Sequence, residues 1–162
     1  MDEQRVPDLE QMDEREAYSF LEQMMSDLSA DSGYELRHDD FVMEMPQSGE
    51  RVRGRERMRE LQAAFGGDAP AMRLRRLSVR EGLWVAEIVS DYGDGRLFYY
   101  VSVVELKDGK MWRDTRHYAE PFEPPERWAH LAERMESSAP ARELPGTPLG
   151  RGSQNFPFHA LP

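Results

Sequence analysis

Three consecutive segments with strand-like patterns, separated by tight turns, constrain the fold of this chain more than any other feature. Residues 83–92, 96–106 and 111–120 are rich in β-branched and aromatic side chains, which strands favour. The intervening loops, 93–95 and 107–110, contain the Gly and Asp residues that hairpin turns require. Antiparallel strands joined by such short loops form a meander, so this part of the chain is predicted to be a sheet.

Two further regions extend this sheet toward the N-terminus. Residues 72–80 alternate between apolar and basic side chains, and the alternation slips at Arg75 and Arg76, which predicts a β-bulge. Residues 41–46 also have a strand pattern, and residues 51–54 return beside them after a turn. The predicted sheet therefore begins well before the meander.

Helical periodicity occurs only outside the meander. Residues 9–28 predict an amphipathic helix of about five turns, and residues 55–65 predict a second helix that ends before Gly66 and Gly67. A third, short helix is predicted after Pro124. The apolar stripe of the first helix consists of Ala17, Phe20, Leu21, Met24, Met25 and Leu28, and that of the last consists of Trp128, Leu131, Ala132 and Met135.

The order of elements predicts one α+β domain with flexible ends. Residues 1–8 are polar and form the lead-in, residues 9–136 form the domain, and residues 137–162 form a tail rich in Pro, Gly, Ser and Arg. Helices collected on one side of a mostly antiparallel sheet define the fold class. One sheet face covers the N-terminal helices and an internal pocket. The other face also carries bulky residues, which predicts a homodimer.

Composition excludes several classes of function. The formal net charge of −10 is opposite to the positive surface that nucleic acids and anionic membranes attract. No apolar run could span a bilayer and the N-terminus lacks a signal-peptide core, so a cytoplasmic protein is expected. The chain has no cysteine, its four histidines lack ligand spacing, and it has no Gly-rich phosphate loop. We therefore expect neither a metal nor a cofactor.

Four short motifs resemble those of the SnoaL-like group, which belongs to the nuclear transport factor 2-like, ketosteroid-isomerase-like superfamily. They occupy residues 39–49, 53–55, 108–111 and 118–122, and the resemblance spans residues 9–136. It implies a cone-shaped α+β fold, in which the sheet wraps around the N-terminal helices and encloses a pocket for a small apolar molecule. Members of this superfamily include cyclases, isomerases, dehydratases and non-catalytic binding domains, so the fold alone does not fix the function.

The same resemblance implies which side chains line the pocket. Alternate residues of a strand face opposite sides, but this period alone leaves open which set faces inward. Alignment on the turn before the last strand places Asp114 and Arg116 inward, and the resemblance also places Glu87 inward. These three are the candidate catalytic residues. The candidate substrate-binding residues are Tyr18, Met45, Phe98, Tyr100, Ser102, Trp112 and Tyr118.

Two interpretations of the candidate polar residues remain open. Asp114 and Arg116 can form an internal salt bridge with a purely structural role. Alternatively, Asp114 is an acid whose pKa is set by the neighbouring cation, and which transfers protons. Tyr100 and Tyr118 are likewise either wall residues of the pocket or hydroxyl donors to a substrate carbonyl.

At several catalytic positions this chain differs from better-known members of the superfamily, and these differences narrow the range of expected reactions. The resemblance implies that Met45 stands where ketosteroid isomerases have their general base, and that Ser102 stands at their second oxyanion acid. Arg116 stands where epoxide hydrolases carry an aspartate. The chemistry of neither enzyme therefore carries over to this chain.

Together these patterns predict a cofactor-free acid/base enzyme that acts on an apolar carbonyl or polyketide-like compound. Cyclisation, isomerisation and dehydration are the reactions considered. The alternative is a non-catalytic ligand-binding or protein-interaction domain of the same fold.

Overall fold

The computed structural model describes residues 6–27, 31, 33–64, 70–95, 97–123 and 125–135. The predicted tail, 137–162, and the first five residues of the predicted lead-in lie outside the described residues. The described elements in chain order are a 3-10 turn at Leu9–Gln11, α1 Glu14–Ser26, β1 Arg37–Met45, β2 Glu50–Arg53, α2 Arg55–Ala64, β3 Ala71–Arg80, β4 Leu83–Asp91, β5 Leu97–Lys107, β6 Lys110–Ala119 and a 3-10 turn at Glu126–Trp128.

The six described strands form one curved sheet in the order β2-β1-β6-β5-β4-β3. Strands β4 to β6 are the predicted antiparallel meander, and β3 extends it by pairing antiparallel to β4. Strand β1 runs parallel beside β6 and antiparallel to β2, while α1 packs against β3 and α2 against β1. The prediction of an α+β fold with a curved, mostly antiparallel sheet is confirmed.

The first helix begins later than its apolar period predicts, because Asp13 caps it. The Asp13 carboxylate accepts a hydrogen bond from the Glu16 N–H at 2.9 Å, and the Glu16 carboxylate accepts one from the Asp13 N–H at 3.0 Å. This reciprocal capping box fixes the start of α1. The preceding residues form a separate 3-10 turn, in which Leu9 is fully buried.

That 3-10 turn is tied to the hairpin turn between β5 and β6, and we call this contact the N-terminal clasp (Leu9, Glu10 and Gly109). The Leu9 N–H donates to the Gly109 carbonyl at 2.9 Å, and the Gly109 N–H donates to Glu10 Oε2 at 2.7 Å. Gly109 has a φ of 73°, and an added Cβ would lie 2.6 Å from Asp8 Oδ1. Any other residue would therefore be strained by the positive φ and would also displace the Asp8 carboxylate.

Strand β1 is longer than predicted and starts at a buried arginine. The sequence pattern predicts a strand at residues 41–46, whereas the strand begins at Arg37 and ends at Met45. The buried residues of β1 are Arg37, Phe41, Met43 and Met45. A charged side chain at the start of a strand interrupts the apolar pattern, which is why the boundary was misplaced.

Besides an irregularity in β1 between Arg37 and Val42, two bulges shift the alternation of side chains. The first lies in β3 between Leu74 and Arg76, as predicted. The second lies in β6, where Trp112 is an extra residue between Met111 and Arg113 in the pairing with β5. A bulge changes which residues face each side of the sheet, and this second one was not predicted.

The prediction of a short helix after Pro124 is wrong in the described residues. They contain only the 3-10 turn Glu126–Trp128, which has no side-chain cap. Leu131 and Met135 of the predicted apolar face are each 78% exposed. A short helix is marginal in water unless packing buries its apolar side, and here that side is not buried.

The core lies between α1 and one face of the sheet. Its largest fully buried side chains include Trp84, Phe41, Leu9 and Met43, and the Phe20 ring of α1 meets the Trp84 ring edge-on at 6.4 Å. We call the sheet face that carries Trp84 the inward face, and the opposite side the outward face.

Candidate active site

The inward face of β6 carries the central residue of the site. Asp114 lies opposite Met43 of β1 and Val104 of β5. All three side chains are buried, and Asp114 is only 4% exposed. The structure therefore places a carboxylate among apolar neighbours, where its charge requires partners.

Both oxygens of the Asp114 carboxylate have a hydrogen-bond partner. The Ser102 hydroxyl of β5 donates to Oδ1 at 2.5 Å, and the Arg116 Nε–H donates to Oδ2 at 2.7 Å. Ser102 lies opposite Arg116 in the strand pairing, so the hairpin itself brings the three residues together. A carboxylate has about four acceptor positions, and these two hydrogen bonds occupy one position on each oxygen.

Arg116 remains firmly charged at this site. Burial by itself lowers the pKa of Arg116, but the Asp114 carboxylate, followed by Tyr118 and Tyr100, outweighs burial and raises this pKa. The Arg116 side chain keeps 24% of its surface accessible, against 5% for that of Asp114. Arg116 is therefore the more accessible side chain of the pair.

Two tyrosines complete this side of the site. Tyr100 and Tyr118 lie opposite each other on β5 and β6, with ring centroids 5.4 Å apart. The Arg116 guanidinium lies 6.0 Å from the Tyr100 ring centroid. Burial raises the pKa of Tyr100 although Arg116 opposes it, so Tyr100 keeps its hydroxyl proton at neutral pH.

Sequence reasoning missed Gln47, which holds the backbone of Tyr118. The Tyr118 N–H donates to Gln47 Oε1, and the Gln47 Nε2–H donates to the Tyr118 carbonyl at 2.6 Å. The Gln47 amide group thus takes the place of a neighbouring strand's peptide group and forms one more pair of hydrogen bonds at the end of β6. No pattern marks this role, because the Gln47 side chain reaches Tyr118 from a turn.

Sequence reasoning also missed Arg37, which is only 5% exposed. Its guanidinium lies 5.5 Å from the Phe41 ring centroid. Burial, followed by the charge of Arg116, lowers the pKa of Arg37 to about 10, although Asp114 opposes this shift. Even with β1 known to start at Arg37, the register shift between Arg37 and Val42 means that the strand period alone does not place this residue with Phe41 and Met43.

The expectation that Glu87 faces inward is wrong. Glu87 pairs with Val101, whereas its neighbour Ala86 pairs with Ser102 of the site, so Glu87 lies on the outward face. There it is 34% exposed and its Oε1 lies 3.5 Å from Arg76 Nη1. The loop between β4 and β5 decides which residues of the two strands pair. The alternation of side chains within either strand does not reveal this pairing.

Trp112 does not share the side of Asp114 either. Because Trp112 is the extra residue of the bulge, Met111 takes the inward, buried position. The Trp112 ring instead lies under the cations of Lys107 and Arg113, at 5.6 and 5.0 Å from its centroid. The tryptophan is therefore separated from the site by the sheet.

The remaining candidate residues take ordinary packing positions. Met45 is 7% exposed and belongs to the core, and the Tyr18 hydroxyl donates to the Leu74 carbonyl at 3.2 Å. Phe98 meets the Tyr92 ring edge-on at 5.4 Å.

Within the described ranges there is no group of three or more His, Asp or Glu side chains that could hold a metal ion. In the same ranges, no helix is both long and apolar enough to cross a membrane.

Comparison with known proteins identifies the fold. No family model and no curated protein matches the chain. An NTF-2-like protein of unknown function from Burkholderia xenovorans LB400 is similar at 27% identity and a TM-score of 0.64, over 73% of this chain and 94% of that one. A candidate ketosteroid isomerase from Kribbella flavida is similar at 24% identity and a TM-score of 0.65, over 75% and 90%.

A third solved structure is an LEH-like epoxide hydrolase from M. tuberculosis. It is similar at 19% identity and a TM-score of 0.52, over 63% of this chain and 81% of that one. The chain therefore has the fold of the nuclear transport factor 2-like, ketosteroid-isomerase-like superfamily.

Proposed function

We propose that this protein is a SnoaL-like, cofactor-free acid/base enzyme that acts on a small apolar carbonyl or polyketide-like compound. The observation that carries the proposal is the buried Asp114–Arg116 pair, which faces inward beside two tyrosines. Solved proteins of the same fold are named as an isomerase and an epoxide hydrolase, which supports chemistry on a small molecule. The reaction is an isomerisation, cyclisation or dehydration that begins with enolisation.

Three residues of the site, Asp114, Arg116 and Tyr118, have a defined role in this enolisation. Asp114 accepts the proton from the carbon next to the substrate carbonyl, and the electron pair of that C–H bond moves to form the enolate. Arg116 and the Tyr118 hydroxyl stabilise the enolate oxygen, as preorganised donors do in an oxyanion hole. Asp114 then returns the proton to a different carbon, which regenerates the carboxylate. Glu87 takes no part, because it lies on the outward face.

A non-catalytic binding domain is the second candidate, and one observation favours it. Each oxygen of Asp114 already has a hydrogen-bond partner, as in an ion pair that only neutralises buried charge. In that case Arg116 and the tyrosines would bind a ligand without proton transfer. The two candidates differ in whether Asp114 exchanges protons with a bound molecule.

The experiment follows proton exchange and needs no knowledge of the natural substrate. A panel of apolar ketones is incubated with the protein in deuterated water, and mass spectrometry measures deuterium uptake beside the carbonyl. Asp114→Asn keeps the shape of the side chain but cannot exchange a proton, so it should slow uptake by roughly 10²- to 10⁴-fold. Glu87→Gln makes the same chemical change on the outward face and should leave the rate unchanged.

Two results would contradict the enzymatic proposal. One is an exchange rate in Asp114→Asn equal to that of the parent protein. The other is binding of ketones by the parent protein with no exchange above the buffer rate, which would favour the non-catalytic domain.

We also propose that the protein forms a homodimer through the outward face. Leu97, Tyr99, Val101 and Val103 of β5 lie on that face and remain only partly buried in one chain. A second copy would cover this apolar strip, as expected for a contiguous patch of bulky side chains.

A further inference from the structure

The Gln47 side chain continues the pairing of β6 beyond its register with β1. The parallel register of these two strands extends to Glu44 and Thr115, whereas Tyr118 lies further along β6. There the Gln47 amide accepts a hydrogen bond from the Tyr118 N–H, and its Nε2–H donates to the Tyr118 carbonyl at 2.6 Å. One planar side-chain group therefore fixes the position of the Tyr118 backbone.

The turn that carries Gln47 is itself constrained. It leads from β1 into β2, and the Gly49 N–H donates to the Met45 carbonyl at 3.0 Å. Gly49 has a φ of 72°, which glycine adopts without strain, and Met45 is only 7% exposed. The turn is thus closed by a hydrogen bond and anchored in the core, so Gln47 reaches Tyr118 from a constrained position.

Tyr118 connects this contact to the polar residues of the site. Arg116 donates a side-chain hydrogen bond to the Tyr118 hydroxyl, and its Nε–H donates to Asp114. The Tyr118 ring also lies against the Tyr100 ring, with centroids 5.4 Å apart. The orientation of the Tyr118 hydroxyl relative to Asp114 therefore depends on where the backbone of Tyr118 is held.

The contact between Gln47 and Tyr118 matters more for geometry than for stability. Gln47 is exposed, and water competes for hydrogen bonds at an exposed position, so the net contribution of each bond to stability is small. Two hydrogen bonds from one amide nevertheless fix both the distance and the orientation of the backbone that they bind. A donor that stabilises a developing charge is effective only when it is preorganised.

We propose that Gln47 is a positioning residue that acts through Tyr118 and sets the Tyr118 hydroxyl against the carbonyl oxygen of the substrate. This inference rests on the proposed function, in which Tyr118 and Arg116 stabilise the enolate oxygen. An amide suits the task because it both donates and accepts, whereas a carboxylate only accepts. Without the amide the end of β6 would move, and the hydroxyl would meet the enolate oxygen in only part of the molecules.

A double-mutant cycle tests whether Gln47 acts through Tyr118. Deuterium uptake is measured against ketone concentration for the parent protein, both single variants and the double variant. Tyr118→Phe should lower kcat roughly 10²- to 10³-fold, as removal of an oxyanion donor does. Gln47→Ala should lower kcat about tenfold and leave KM within about twofold, because it affects the transition state more than substrate binding. In the Tyr118→Phe background, Gln47→Ala should have no further effect, since the hydroxyl that Gln47 positions is absent.

Two further variants separate positioning from general damage to the protein. Gln23→Ala makes the same change at an exposed position of α1 and should alter neither kcat nor KM. Gln47→Glu keeps the acceptor for the Tyr118 N–H but loses the donor to the Tyr118 carbonyl, so it should also lower kcat. Because this side chain has nearly the same size, Gln47→Glu replaces Gln47→Ala in the cycle if the alanine variant does not fold.

Nuclear magnetic resonance follows the position of Tyr118 without any turnover. The chain has six tyrosines, which are labelled with carbon-13 in the ring, and Tyr118→Phe identifies the signal of Tyr118. Gln47→Ala should shift or broaden this signal, whereas Gln23→Ala should leave it unchanged.

The proposal is overturned by an unchanged kcat in Gln47→Ala, by equal losses from Gln47→Ala in the parent and Tyr118→Phe backgrounds, or by an unchanged Tyr118 signal. In each of these cases, slower exchange in Asp114→Asn would leave the proposed chemistry standing. A parent protein with no exchange above the buffer rate would overturn both proposals, so the two failures are distinguishable.

Discussion

The two faces of the sheet carry the same kind of ion pair, but the two pairs differ in distance and in exposure to water. On the inward face, Arg116 and Asp114 are in hydrogen-bond contact at 2.7 Å, with side chains 24% and 5% exposed. On the outward face, Arg113 and Glu105 of the same two strands lie 3.8 Å apart, with side chains 39% and 44% exposed. Water screens the outward pair more than the inward one, whose carboxylate is almost fully buried, so the inward pair should matter more for stability.

The largest expected effect comes from removing one partner of the inward pair. Asp114→Ala leaves the Arg116 charge without its carboxylate in a buried site and should lower the free energy of unfolding by about 3–5 kcal/mol. Glu105→Ala is the matched change on the outward face and should cost less than about 1 kcal/mol. Urea denaturation followed by circular dichroism measures both. Similar losses in the two variants would show that the faces do not differ as described.

A smaller difference is expected for apolar side chains. Met43→Ala removes a side chain that is 1% exposed and lies opposite Asp114, so it should lower the unfolding free energy by roughly 2–5 kcal/mol. Val101→Ala, on the outward face of β5, should cost about 1 kcal/mol or less in the monomer. The comparison is made by the same denaturation experiment at low protein concentration. A cost for Val101→Ala as large as that for Met43→Ala would mean that the outward face is covered even in the monomer.

The smallest effect on the monomer, but the clearest on assembly, is expected for a charge on the outward face. Val101→Asp should change monomer stability by less than about 1 kcal/mol, since this side chain is only partly buried. It should convert the proposed dimer to monomer, because an unpaired carboxylate in the interface is costly. Light scattering gives the mass of parent and variant under the same conditions. A parent protein that is already monomeric at micromolar concentration would exclude the dimer.

The order of elements could be predicted from the sequence because each rests on local patterns. The meander, both helices and the bulge in β3 follow from periodicity and turn residues within a few positions of one another. Asp114 and Arg116 were placed on the inward face only with the help of a family resemblance. Alternation alone says that two residues share a side, and not which side that is.

The remaining site residues could not be predicted because their positions depend on neighbouring strands. Glu87 was misplaced because the pairing of β4 with β5 fixes its side, and Trp112 because a bulge adds one residue to β6. Arg37 was missed because a charged residue at the start of β1 resembles a turn in sequence. In each case the deciding contact joins residues from different strands.

The N-terminal clasp has a consequence for the order in which the protein folds. Glu10 and Gly109 are 99 residues apart in the chain, so their contact closes a loop that includes most of the domain. The β5–β6 hairpin, by contrast, needs only a short loop and can form early, carrying Ser102, Asp114 and Arg116 with it. The chemistry of the site would therefore be assembled as a local unit before the chain's beginning docks onto it. Mutations in the clasp should accelerate unfolding and leave the folding rate almost unchanged.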